Sequence, residues 1–196
     1  MFTGIVTAVG HIASSIPHGD GVRLRIHAPD FGMDDVGPGD SIAIQGVCHT
    51  VVAKDGDGFD VDSSAATLRV TTGLESGRRV NLEKSLRLAD RIGGHLVSGH
   101  VDGVGTVKAF EDLGASWRLE IEAPAGLSRY IAKKGSVCVD GVSLTVNEVR
   151  GPRFEINVIP HTRAVTTLGT LAAGSRVNVE VDMTARYLER LMGERA

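Results

Sequence analysis

Polar and apolar residues alternate in short runs along this chain. In Val22-Arg23-Leu24-Arg25-Ile26-His27 every second residue is apolar, and the same holds for Trp117-Arg118-Leu119-Glu120-Ile121-Glu122 and for Val177-Asn178-Val179-Glu180-Val181. A period of two sends successive side chains to opposite faces, so these runs predict half-buried β-strands. Turn-forming clusters separate them, at Pro38-Gly39-Asp40, Asp55-Gly56-Asp57-Gly58 and Asp140-Gly141. Short strands at this spacing, each with one face to bury, predict a closed antiparallel barrel, because closure removes the exposed edges of a small open sheet. Short helical patches are expected near 29–36 and 124–133, and again near 64–70 and 161–166.

The pattern occurs twice. With a shift of 95 residues, Gly4, Val6, Val9 and Gly10 fall on Gly99, Val101, Val104 and Gly105; VRLRIHAP from Val22 falls on WRLEIEAP from Trp117; and GVCHTV from Gly46 falls on GVSLTV from Gly141. Thr67, Thr71 and Thr72 meet Thr162, Thr166 and Thr167, and after a two-residue slip Gly77, Val80, Asn81 and Glu83 meet Gly174, Val177, Asn178 and Glu180. A period this long exceeds any solenoid unit, so each copy is a small domain. The expected organisation is all-β, two similar barrels in tandem at 1–94 and 95–183, followed by a tail at 184–196. Running into that tail, Met183, Tyr187 and Leu191 recur at helical spacing, with Leu188 and Met192 beside them. They form one apolar stripe on a helix of about three turns, capped by Asp182 or Thr184. So short a helix is marginal alone, so the stripe packs either on its own barrel or on another copy of the chain.

Composition narrows the function classes. Aromatic residues are 4% of the 196, too few for a stacking platform on single-stranded nucleic acid, and a net charge of −3 excludes a generally basic nucleic-acid binder. Gly stands at 25 residues, in keeping with many tight turns. Two cysteines, Cys48 and Cys138, make neither a disulfide scaffold nor a four-ligand zinc site. MFTGIVTAVG lacks the basic start of a signal peptide and no apolar run reaches membrane-spanning length, so a cytoplasmic protein with no membrane partner is expected.

Strand parity locates candidate chemistry. In Val142-Ser143-Leu144-Thr145-Val146 the apolar residues share the inward face, so Ser143 and Thr145 point outward together. Val47 and Val51 likewise place Cys48 and Thr50 outward in the first copy. The same small hydroxyl or thiol groups at matched positions predict two matched ligand sites. A second cluster, GGHLVSGHVDG from Gly93, lies at the junction of the halves and matches Gly4-Ile5-Val6 in part. Its glycines permit close approach of a planar ligand, and His100 is suited to proton transfer near neutral pH; His95 is the weaker candidate of the two, and either is open to a purely structural role. No phosphate loop, nucleophile elbow or zinc-protease motif is present, and the histidines do not cluster with the cysteines at metal-ligand spacing.

Taken together, MFTGIV, GGHLVSGHVDGVG and the paired GVCHTV and GVSLTV resemble the riboflavin synthase family over essentially the whole chain. The resemblance implies a flavin-synthase-like pair of barrels that dismutates two molecules of 6,7-dimethyl-8-ribityllumazine. One donates a four-carbon unit to the other, giving riboflavin and 5-amino-6-ribitylamino-uracil without metal or redox cofactor. It implies a homotrimer whose working site lies between the N-terminal barrel of one subunit and the C-terminal barrel of a neighbour. Carried over by position, it implies ligand contacts at Gly4, Ile5, Val6, Cys48, His49, Thr50, Asp62, Ser64, Ala66 and Thr67. In the second half it implies contacts at Gly99, His100, Val101, Lys134, Ser143, Leu144, Thr145, Val158, Ile159, Pro160, His161, Thr162 and Arg163. Cys48, His100, Ser143, Thr145 and the acidic Asp182 are its implied catalytic group, with Cys48 a weak donor or a nucleophile.

The chain departs from the family in its first barrel. His49 stands where leucine is usual and parity turns it inward; Gln45 replaces asparagine, Ala66 stands where an acidic residue is common, and the stretch after Thr72 is shortened. The rival expectation is an antenna-type relative that binds lumazine or flavin without turnover. Such proteins tend to lose the reactive polar residues, whereas Cys48, His100, Ser143 and Thr145 are all present.

Overall fold

The computed structural model describes residues 1–193; Glu194, Arg195 and Ala196, the end of the expected tail, lie outside the described residues. The first half contains β1 (Ala8–His18), β2 (Gly21–His27), β3 (Ser41–Ile44), β4 (Val47–Lys54), β5 (Gly58–Ser63), a short helix α1 (Ala65–Val70) and β6 (Arg79–Lys84). The second contains β7 (Gly103–Asp112), β8 (Trp117–Glu122), β9 (Ser136–Val139), β10 (Val142–Arg150), β11 (Arg153–Val158), α2 (Pro160–Val165) and β12 (Arg176–Val181), before α3 (Met183–Gly193). Each half closes as a six-stranded antiparallel barrel, ordered β1-β2-β5-β4-β3-β6 and β7-β8-β11-β10-β9-β12. The duplication extends to irregularities. The bulge between Ile12 and Ser14 returns between Val107 and Ala109, and that between Val51 and Ala53 returns between Val146 and Glu148.

Alternation explains the cores. Leu24, Ile26, Phe59 and Val61 fill the first barrel and Leu119, Ile121, Phe154 and Ile156 the second, all essentially without solvent contact; burying each contributes roughly 1.5–3 kcal/mol. The expected helical patches are short turns or helices: 3-10 turns at Pro29–Phe31, Met33–Asp35 and Ser128–Tyr130, then α1 and α2. Ser64 caps α1 by accepting from Thr67 N–H at 3.2 Å.

The barrels meet along a polar seam. Asn81 Oδ1 accepts from Thr167 N–H and its amide donates to Asp140 O, both at 2.8 Å. Asn178 repeats this in the other direction, accepting from Thr72 N–H at 2.8 Å and donating to Gln45 O at 2.9 Å. Asp140 Oδ1 accepts from Asn178 N–H, and burial pushes its carboxyl up to about 7.

The C-terminal helix has the predicted cap, Asp182, whose Oδ1 accepts from Thr184 N–H at 2.9 Å. Ion pairs from Arg186 to Asp102 and from Arg129 to Glu189 tie it to the second barrel. Its apolar stripe does not pack there: Tyr187 is 67% and Leu191 64% exposed.

Candidate ligand-binding walls

Each barrel's outward polar face is covered by a segment from the other half. Ser143 N–H on β10 donates to Gly4 O, and Cys48 N–H on β4 donates to Gly99 O, both at 2.8 Å. Gly4 has φ +73° and Gly99 φ +78°, and the approach leaves no space: a Cβ on Gly4 would stand 2.6 Å from Ser143 Cβ, and one on Gly99 2.7 Å from Cys48 Cβ. These glycines are therefore accounted for by protein packing as well as by any approach of a ligand. Phe2 and Val97 join the two arms through a pair of backbone hydrogen bonds at 2.7 and 3.0 Å.

A buried carboxylate holds each arm. Glu83 on β6 accepts from Thr3 N–H at 2.7 Å, Thr3 Oγ1 at 2.6 Å and Gly4 N–H at 3.0 Å. Glu180 on β12 accepts from Ser98 N–H, Ser98 Oγ and Gly99 N–H at 2.7, 2.6 and 2.9 Å. Burial raises the Glu83 pKa, and the donors from Thr3 and Gly4 oppose it. Sequence reasoning used Glu83 and Glu180 only as marks of duplication. Their signal was present, since a glutamate repeated between apolar strand residues has to find donors if it is buried.

The predicted contact residues distribute over two walls. On the first barrel Cys48 is half-buried and Thr50 exposed, with Gly99, His100 and Val101 crossing β4. Beside β4, β5 leads into the 62–67 segment, where Asp62 is engaged by Arg23 at 2.7 Å, which lowers its pKa, and Ser64 is engaged by Thr67. On the second barrel Ser143 is half-buried and Thr145 exposed, with Gly4, Ile5 and Val6 crossing β10, and β11 leads into Val158, Ile159 and α2. There Arg163 stacks on Trp117, its guanidinium carbon 4.4 Å from the ring centroid. Lys134 is exposed in a left-handed conformation, φ +66°, at the turn before β9. The side chains of His49 and Leu144 are buried inside their barrels, so only their backbones reach the walls. The His100 imidazole is exposed, and its backbone N–H donates to Ser98 Oγ. The contact that sequence reasoning undervalued is His95, whose Nδ1 lies 2.7 Å from Ser143 Oγ. A cleft of about 620 Å³ at the seam, lined by Gln45, Arg78, Arg79, Asp140 and Arg176 among others, contains none of these wall residues. A second cleft, of about 550 Å³, takes in Ile5 of the second wall together with Thr3, Glu83 and Gly93 among others. Among the described residues no group of His, Cys, Asp and Glu is placed to hold a metal ion, and no helix is long and apolar enough to cross a membrane.

The inward His49 finds half a solution. Its Nδ1 meets Val47 O at 3.0 Å, while Nε2 has no partner, and Ser63 Oγ on neighbouring β5 has none either. Extending the Val51–Val61 register by two residues brings His49 opposite Ser63; the matched positions of the second barrel hold Leu144 and Val158. Burial lowers the His49 pKa to about 4. The unfolded chain takes up that proton near 6.5, so between these values the unfolded state holds more protons and stability falls as pH falls. His49→Leu with Ser63→Val is expected to raise stability by about 1–3 kcal/mol at neutral pH. The gap over wild type should widen by on the order of 3 kcal/mol as pH drops from 6.5 to 4. Urea unfolding at several pH values measures this; a gap independent of pH would contradict it.

Two homologous barrels with matched outward walls define a duplicated small-ligand-binding protein, and sequence comparison says of which kind. The lumazine-binding-domain pattern matches residues 3–85 and 98–182, and the chain belongs to that family. Its relatives include proteins named riboflavin synthase. That of Brucella abortus is 45% identical over 97% of this chain and 98% of its own length; that of Mycobacterium tuberculosis is 47% identical over 98% of each; and that of Photobacterium leiognathi is 42% identical over 98% of this chain and 89% of its own. Among solved structures, LumP complexed with riboflavin superposes with a TM-score of 0.85 at 31% identity, covering 93% of this chain and all of the other. LumP complexed with 6,7-dimethyl-8-(1'-D-ribityl) lumazine gives 0.82.

Proposed function

We infer that the chain catalyses the dismutation of two 6,7-dimethyl-8-ribityllumazine molecules into riboflavin and 5-amino-6-ribitylamino-uracil. Its near full-length similarity to riboflavin synthases carries this reading, and the two matched walls support it, one for each of two identical substrates. Atoms balance between two substrates and two products, so the transfer of four carbons consumes no other reactant.

The chemistry begins at the C7 methyl of one lumazine, which is acidic because its anion delocalises into the ring. His100, exposed on the arm over the first wall, is placed here in proton transfer, and Ser143 and Thr145 in orienting a ring or a water by hydrogen bonds. Cys48 acts on the acceptor ring as a weak donor or a nucleophile. Asp182, at the head of α3, is the acidic partner. Holding two rings in contact can supply roughly 7–11 kcal/mol of the acceleration. The barrels at 1–94 and 95–183 are the two substrate-binding units in this reading. The tail at 184–196 is the assembly element of a cytoplasmic homotrimer, in which a first wall faces the second wall of a neighbouring copy. The exposed stripe of Tyr187, Leu188 and Leu191 supports that role.

The direct test is incubation of the purified protein with the lumazine alone and quantification of both products. One riboflavin per two lumazines consumed, with equal diaminouracil, is expected; binding without product would leave the antenna-type alternative. Cys48→Ala is expected to lower turnover about 10²-fold with an unchanged melting transition. Full turnover in that variant would remove Cys48 from the chemistry.

A further inference from the structure

We propose that His95 is a positioning residue that fixes the proton of the Ser143 hydroxyl, making the two ligand walls chemically unequal. The inference rests on the walls assigned above. Ser143 and Cys48 hold matched places, each on the central outward face of its barrel and each under a glycine arm. Only Ser143 has an imidazole against it, with Nδ1 2.7 Å from Oγ. Cys48 Sγ has no hydrogen-bond partner among the described residues, and a thiol is a weak donor in any case.

The imidazole is held in that place by its own backbone. His95 N–H donates to Thr3 O at 3.1 Å, and two residues further on Val97 N–H donates to Phe2 O at 3.0 Å. Gly94 lets the chain pass: a Cβ there would stand 2.2 Å from Thr3 O and 2.7 Å from Ser143 Oγ. Burial lowers the His95 pKa, against the pull of the Asp182 and Glu180 carboxylates, so the ring is neutral at pH 7. A neutral imidazole has one donor and one acceptor nitrogen. If Nδ1 accepts, the Ser143 proton is committed to the ring and the oxygen is left to accept from an N–H of the ligand. If Nδ1–H donates, the Ser143 proton turns toward a ligand carbonyl. Either way the second wall presents one polarity to the polar edge of a heterocycle, and the first wall presents none so fixed.

The test is a double-mutant cycle with riboflavin as the binding probe, followed by calorimetric titration and by thermal melting. His95→Leu is expected to weaken one of the two classes of site about tenfold, the scale of one lost hydrogen bond, with the melting temperature unchanged. His95→Asn, which returns an amide to the Nδ1 position, is expected to recover most of the affinity. In a Ser143→Ala background both His95 substitutions should have little further effect. Equal losses in both backgrounds, a loss spread over both classes of site, or an Asn variant no better than Leu would overturn the proposal. Should the Leu variant fail to fold, His95→Ala, which also removes the ring nitrogen, takes its place in the cycle with Ser143→Ala. A wild type that binds riboflavin but makes none from the lumazine would sink the dismutation reading alone, since the cycle is read on binding.

Discussion

Glu180→Ala is expected to cost on the order of 3–5 kcal/mol of stability and to lower turnover by more than about 10²-fold. The side chain accepts three hydrogen bonds, two of them from the Ser98 and Gly99 backbone amides. Alanine leaves those donors facing the space of a lost carboxylate, at about 1–3 kcal/mol for each that stays dry. Ser98 is half-buried and recovers part of its hydration, which is why the total falls below the simple sum. The loss of turnover is expected from the roles proposed for Cys48 and His100, since the same arm lies on the first and carries the second. Glu180→Gln should fall between, since one oxygen still accepts but the new amide nitrogen opposes an N–H. Thermal melting and steady-state turnover measure both effects; a melting temperature within about 2 °C of wild type would show that the carboxylate does not hold the arm.

Gly99→Ala is the second large effect. The new methyl would meet the Cβ of Cys48 at 2.7 Å and its backbone nitrogen at 2.8 Å, in a strand that cannot yield, at φ +78°. Strain and overpacking each cost about 1–3 kcal/mol, so a loss of about 2–6 kcal/mol is expected, with the Cys48 wall displaced and turnover lost. Gly114→Ala is the control, with φ +87° and nothing within 4 Å of the added carbon. It isolates the conformational strain, so its loss should be no more than about half that of Gly99→Ala. Equal losses in the two variants would remove the close approach from the account.

Much of this architecture was legible in the alternation and the duplication. WRLEIE gives its burial directly, with Leu119 and Ile121 inside, and parity placed Ser143 and Thr145 outward and His49 inward. The clusters at Asp55–Gly58 and Asp140-Gly141 fell where strands reverse, that at Pro38-Gly39-Asp40 led into β3 from a 3-10 turn, and Asp182 was one of two caps proposed for the helix. What escaped is non-local. The crossing of each arm to the opposite barrel leaves no periodic trace, because it consists of single backbone hydrogen bonds between residues far apart in sequence. His95 stood beside His100 as the weaker candidate, since spacing alone carries no information about a serine 48 positions away. The helix stripe had two possible partners by sequence; the exposure of Tyr187 and Leu191 shows that the chain's own barrel is not one.

The exchanged arms bear on how such a protein comes to exist. Residues 3–5 lie on the outward face of the second barrel and residues 98–100 on that of the first, so neither half covers its own outward face. A single-barrel version would leave its arm without a strand to lie on and its own strand uncovered. Two copies would cure both faults by lending each other their arms about a twofold axis, as swapped dimers do. The tandem chain has the form of such a dimer with its subunits joined end to end. In the tandem chain the loan is internal, and the two halves differ: a thiol on one side, a hydroxyl with its imidazole on the other.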